Sequence, residues 1–229
     1  MADFDLMFIL LLIDCFVCAA LAFIMTALAY SRYRKKNSQL TKTIFYMFIS
    51  IGLLNLWAPI RFLLSKPGME QSPESLTLAI LMSFAVYFVF DFSRIVFAGE
   101  HSKLDTIIKA MFVIDICLCI IATIYPTYVL AFSFLWKEVF AFSSVIPIIS
   151  GGIKLKRRIP KDDPHYSHLS SIVQMAVFFL INDIVFLIDG LINTISGVFP
   201  NAVSFLPWIF LDLALYSAYR GFFSKAKEI

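Results

Sequence analysis

Charge is scarce in this chain: Asp, Glu, Lys and Arg make up only 15% of its 229 residues. Whole helical turns carry no polar side chain, whereas a helix on the surface of a water-soluble domain needs a polar outer face. Water is therefore excluded as the main solvent. Catalytic signatures are missing too. There is no Gly-rich phosphate loop, no H-E-x-x-H and no G-x-S-x-G, so no enzyme is expected. The four cysteines, Cys15, Cys18, Cys117 and Cys119, all fall in apolar stretches. That placement excludes a disulfide framework in outer loops. The C-x-x-C spacing of Cys15 and Cys18 has no activating base nearby in sequence, and both read as small packing residues. Of only three histidines, His165 and His168 have helical spacing but no further ligand beside them, so no metal and no cofactor is expected. The last apolar stretch has no lysine, which excludes a retinal Schiff base there.

What is present is apolar. Hydrophobic residues make up 60% of the chain and aromatics 16%, with a mean hydropathy of +0.85. A bilayer core takes roughly 20 residues of helix. Seven stretches suit it, at about 6–29, 43–64, 76–98, 106–124, 128–150, 170–197 and 201–223. The expected fold is all-α: a single transmembrane domain of seven helices. The first stretch follows an acidic segment and is too long for a signal peptide, so it is expected to be a retained helix. Ser65-Lys66-Pro67-Gly68, Tyr125-Pro126-Thr127 and Gly197-Val198-Phe199-Pro200-Asn201 supply helix-ending turns. If Pro126 only kinks one long helix, the count drops to six.

Fifteen of the 19 Lys and Arg residues fall on one side of this arrangement. Arg32, Arg34, Lys35, Lys36 and Lys42 lie between the first two stretches, and Lys154, Lys156, Arg157, Arg158 and Lys161 between the fifth and sixth. The opposite loops hold only Lys66. The positive-inside rule then puts the N-terminus outside and the C-terminus in the cytoplasm of a cell membrane. No aromatic platform or groove motif accompanies the basic runs, so nucleic acid is not an expected partner. A separate cytoplasmic protein reached through the basic loops is.

Ten ionisable residues lie inside the stretches: Asp14, Arg61, Asp91, Arg94, Asp115, Lys137, Glu138, Asp183, Asp189 and Asp212. At about 2.5–3.5 kcal/mol for each charge at a bilayer centre, they are expected to face the interior of the bundle. Asp115, Lys137, Glu138, Asp183 and Asp212 fall near the midplane, Asp14 and Asp189 in the outer half. Asn182, Asp189 and Asn193 share one helical stripe. Lys137 is expected to pair with a midplane aspartate, and Asp91 with Arg94 three residues on, with Arg94 snorkelling toward the headgroups.

The topology resembles seven-helix receptors and the seven-helix sensor regions of bacteria in architecture. The leading expectation is a sensor that binds a small ligand in an outward-facing polar cavity. Asp14, Asp115, Lys137, Glu138, Asp183, Asp189, Asn193 and Asp212 are its candidate binding residues. Surplus carboxylates near the midplane motivate the alternative of a cation- or proton-coupled transporter. A structural subunit is the third.

Overall fold

The structure is a computed structural model that describes residues 6–64, 73–99, 102–196 and 204–224. The turns expected at 65–68 and 197–201, and Lys66, His101, Lys225 and Lys227, lie outside the described residues. Seven helices run through the rest: α1 (Leu6–Lys36), α2 (Gln39–Leu64), α3 (Pro73–Phe97), α4 (Leu104–Ile124), α5 (Pro126–Lys156), α6 (Pro164–Ser196) and α7 (Leu206–Phe222). The first six are long and apolar enough to cross a membrane, which marks an integral membrane protein. The described part of α7 is 17 residues, about 25 Å of helix against a hydrocarbon core of about 30 Å.

α1 shows how such a helix meets two solvents. Leu11, Cys15, Cys18, Ala22, Met25 and Ala29 are buried, in alternating steps of four and three that trace one face. Ile9, Ile13, Val17, Leu21, Ile24 and Leu28 are exposed and equally apolar. A helix hydrophobic all round, with a single buried stripe, presents its other faces to lipid. The helix also outlasts its apolar stretch and carries Arg34, Lys35 and Lys36 in its last turn, where cations meet the negative end of the helix dipole.

The turns have local causes. Asn37 takes a left-handed φ of 42° and its N–H returns 2.8 Å to the Tyr33 carbonyl, ending α1. Ser38 and Thr41 then each accept the other's backbone N–H at 3.2 Å, a reciprocal cap that opens α2. Gly99, at φ 88°, closes α3 by directing its N–H to the Arg94 carbonyl at 3.0 Å. At Tyr125 the backbone leaves the α region (φ −126°, ψ 62°), which a following proline disfavours, and Pro126 starts α5. This is a reversal and not a kink. A straight helix would hold residues 115 and 137 about 33 Å apart, yet their side chains are in contact at 2.9 Å.

Two compact units divide the chain: Ala22–Pro147, and Met1–Leu21 together with Ile148–Ile229. In the first, α2 packs on α3 and α3 on α4. Val86, Phe90, Ile108, Phe140 and Ala141 form its core, with the Phe90 and Phe140 rings 6.1 Å apart. Gly52 lets the Phe23 ring lie against α2, where a Cβ would sit 3.1 Å from it. In the second unit α6 packs along α7. Gly221 permits the approach, since a Cβ there would lie 3.2 Å from the Ile172 backbone nitrogen and 3.3 Å from the His168 carbonyl. Small residues at such crossings replace the hydrophobic drive that lipid removes.

Candidate functional site

Lys137 forms the polar centre of the Ala22–Pro147 unit. Its ammonium group donates to Asp115 Oδ2 on α4 at 2.9 Å, to Ser83 Oγ on α3 at 2.7 Å and to the Ala79 carbonyl at 3.1 Å. Three donors meet three acceptors from two other helices. Asp115 is 0% exposed and Lys137 7%. An ion pair this deep stands only because the lysine is fully satisfied; one partner alone would leave an uncompensated charge. Asp115 Oδ1 has no hydrogen-bond partner among the described residues. Glu138, the next residue along α5, is also buried.

A second charged group ties the same helices together at the far end of α3. Asp91 and Arg94 pair at 2.6 Å, one turn apart. Thr43 Oγ1 on α2 donates to Asp91 Oδ2 at 2.8 Å. Arg94 also donates to the Gly99 carbonyl at 3.2 Å and lies 3.7 Å from Asp105 on α4, which Lys109 holds at 2.6 Å. The pairing matches expectation, but the snorkelling does not. Arg94 is only 4% exposed, because the left-handed turn at Gly99 folds acceptors over its guanidinium and removes its need for headgroups. α3 and α4 are thus bridged at two levels, separated by eleven residues on α3 and ten on α4, about 15–17 Å of helix.

In the second unit α1 meets α7. Cys18 Sγ donates to Asp212 Oδ1 at 3.0 Å and approaches the Trp208 carbonyl at 3.6 Å. The Asp14 carboxyl lies beside that of Asp212, with oxygens within 4.8 Å. One donor atom from each of Asp14, Cys18 and Asp212 lies within 4.8 Å of the others, a thiol and two carboxyls that offer three donors to a divalent ion. The Cys18–Asp212 hydrogen bond accounts for part of the same grouping.

The remaining candidates on α6 are held separately. Asp189 is buried and accepts from Ser204 Oγ at 2.8 Å, just before α7. Asp183, half-buried, accepts a long 3.4 Å hydrogen bond from Asn182. The Asn193 side chain lies outside the described residues. Of the eight residues read from sequence, contacts therefore join Asp115 with Lys137 and Asp14 with Asp212, while Asp183 and Asp189 each have another polar partner.

Sequence reasoning missed Cys18, Thr43, Ser83, Asp105 and Ser204. Cys18 carried a usable signal, since it lies four residues after Asp14 and so on the same helix face. Ser83 and Thr43 carried none, because most hydroxyls in these helices bond their own backbone. Thr26, Thr123 and Ser171 each donate to the carbonyl four residues back, and nothing in sequence separates them from those that reach across. Compared with known proteins, the chain matches no family model, no curated sequence and no solved structure.

Proposed function

We propose that the protein is a seven-span, N-out/C-in membrane sensor of the cell membrane. Its embedded polar groups bind a small ligand, and its basic cytoplasmic loops pass the signal to a separate protein. Binding, not catalysis, is the role assigned. The observation that supports this reading is the double bridging of α3 and α4. Lys137 joins Ser83 and Asp115 within the membrane, and Arg94 joins Asp91 and Asp105 at the helix ends. A ligand that drew Lys137 or Asp115 away would loosen one level and bias the other, as a two-state element requires. A cysteine at Ser102, between the two helices, reports on this with a membrane-impermeant maleimide. Labelling should occur only from the cytoplasmic side, and Asp115→Asn should change its rate several-fold. An unchanged rate would remove the coupling, and labelling from outside would remove the orientation.

Proton- or cation-coupled transport is the second reading, favoured by the Asp14–Asp212 contact. The two carboxyl groups lie within 4.8 Å of each other, and no Lys or Arg forms an ion pair with either among the described residues. Such a group is suited to exchanging a proton for a cation. Proteoliposomes enclosing a pH dye should then dissipate a proton gradient when sodium or potassium is added outside, and Asp212→Asn should abolish this. Dissipation that survives Asp212→Asn, or none with the wild-type chain, would discard transport.

A further inference from the structure

The turn from α5 to α6 carries a group of cations for which the fold has no internal use. Lys154, Arg157, Arg158 and Lys161 are exposed, and none has a carboxylate within ion-pair distance among the described residues. The nearest acid in sequence with a defined contact, Asp163, is occupied as a cap and accepts the His165 N–H at 2.7 Å. Lys156 is occupied as well. Its ammonium donates to Ser170 Oγ at 3.0 Å and sits 4.9 Å above the centre of the Tyr166 ring, fastening the end of α5 to the start of α6. Backbone bonds from Arg158 to Leu155, Asp163 to Pro160 and Tyr166 to Asp163 hold the turn itself in place. The four cations therefore project from a fixed base.

Their depth follows from helix length. α5, Pro126–Lys156, is 31 residues long and extends about 46 Å against a hydrocarbon core of about 30 Å. The excess places its end, and the turn that follows, in the headgroup layer. Ile153 and Leu155, on either side of Lys154, are exposed and apolar, as residues at the edge of the acyl region would be. Tyr166, apolar in body and polar at its tip, suits the same level.

We infer that the α5–α6 turn is a binding surface for the phosphodiester headgroup of an anionic phospholipid in the adjacent leaflet. Charge complementarity and depth argue for a lipid. The lipid is there at high local concentration and its phosphate fits an arginine fork. Paired Arg157 and Arg158 supply two such forks. The inference rests on α5 and α6 spanning the membrane and is independent of what the protein senses or moves.

The test uses the full chain in nanodiscs of phosphatidylcholine, with or without phosphatidylglycerol. The anionic lipid should raise the midpoint of thermal unfolding by on the order of 5 °C, and high salt should remove the gain. Lys154→Gln/Arg157→Gln/Arg158→Gln/Lys161→Gln should lose it. Arg157→Gln/Arg158→Gln, a milder change in case the fourfold variant does not insert correctly, should lose about half. A control at the end of α1, Arg34→Gln/Lys35→Gln/Lys36→Gln, should keep it. No rise in wild-type protein, a rise retained by the variants, or an equal loss in the control would overturn the assignment. So would inorganic phosphate in zwitterionic discs giving the full shift, which would make the ligand free phosphate.

Discussion

Replacing Lys137 by methionine keeps the length of the side chain and removes its charge. Asp115, 0% exposed and on Lys137 at 2.9 Å, would be left as a buried acid without its cation. Removing one partner of a buried ion pair costs about 3–5 kcal/mol, most of it the penalty on the partner left behind. Ser83 suffers little, because its hydroxyl still donates to the Ala79 carbonyl at 2.8 Å. For a chain of this size each kcal/mol moves the melting temperature by about 2–4 °C, so Lys137→Met should lower it by about 6–20 °C. Asp115→Leu in the same chain should restore most of that, since a buried pair replaced by apolar side chains is often neutral. Circular dichroism of the helical signal during heating in detergent, on both single variants and the double, completes the cycle. Additive losses, or a Lys137→Met shift below about 2 °C, would refute the claim that these charges neutralise each other.

Other substitutions probe other parts of the fold. Gly221→Ala would push a methyl to 2.8 Å from Ile172 Cγ1 and against the α6 backbone, and should cost about 1–3 kcal/mol in denaturant unfolding. Gly99→Ala meets nothing within 4 Å, so its cost of about 1 kcal/mol should come from the left-handed φ alone. Arg94→Ala should destabilise by about 3–5 kcal/mol and Arg94→Lys by less, with faster proteolysis of the α3–α4 turn in both as the readout. Cys18→Ser should preserve the contact to Asp212, while Cys18→Ala should cost about 1 kcal/mol, read from the melting temperatures of the two proteins.

The six long apolar helices were legible because lipid imposes a crude rule, that every exposed side chain be apolar for some twenty residues, and hydropathy reads this directly. The end of α1 was not, because Arg32 to Lys36 leave the hydrocarbon without leaving the helix. The Tyr125–Pro126 reversal was half legible. Proline predicts an interruption, and only the meeting of residues 115 and 137 distinguishes a hairpin from a bend. Among the candidate residues, charge marked which side chains must avoid lipid but not which they would meet. Lys137 was expected to find a midplane aspartate, and three lay at that level; Asp115 is its partner because the hairpin places it there. Arg94 was misjudged because its environment depends on a glycine turn five residues away that returns the chain over it.

The α4–α5 hairpin also bears on how the chain enters a bilayer at all. A helix bearing Asp115 alone, or one bearing Lys137 and Glu138, would cross the hydrocarbon with a charge at its centre, but the short break at Tyr125 lets the two helices fold back and cross as a couple. The charges of α4 and α5 thus neutralise each other within one hairpin, and α3 completes the set by offering Ser83 and the Ala79 carbonyl to the same ammonium group.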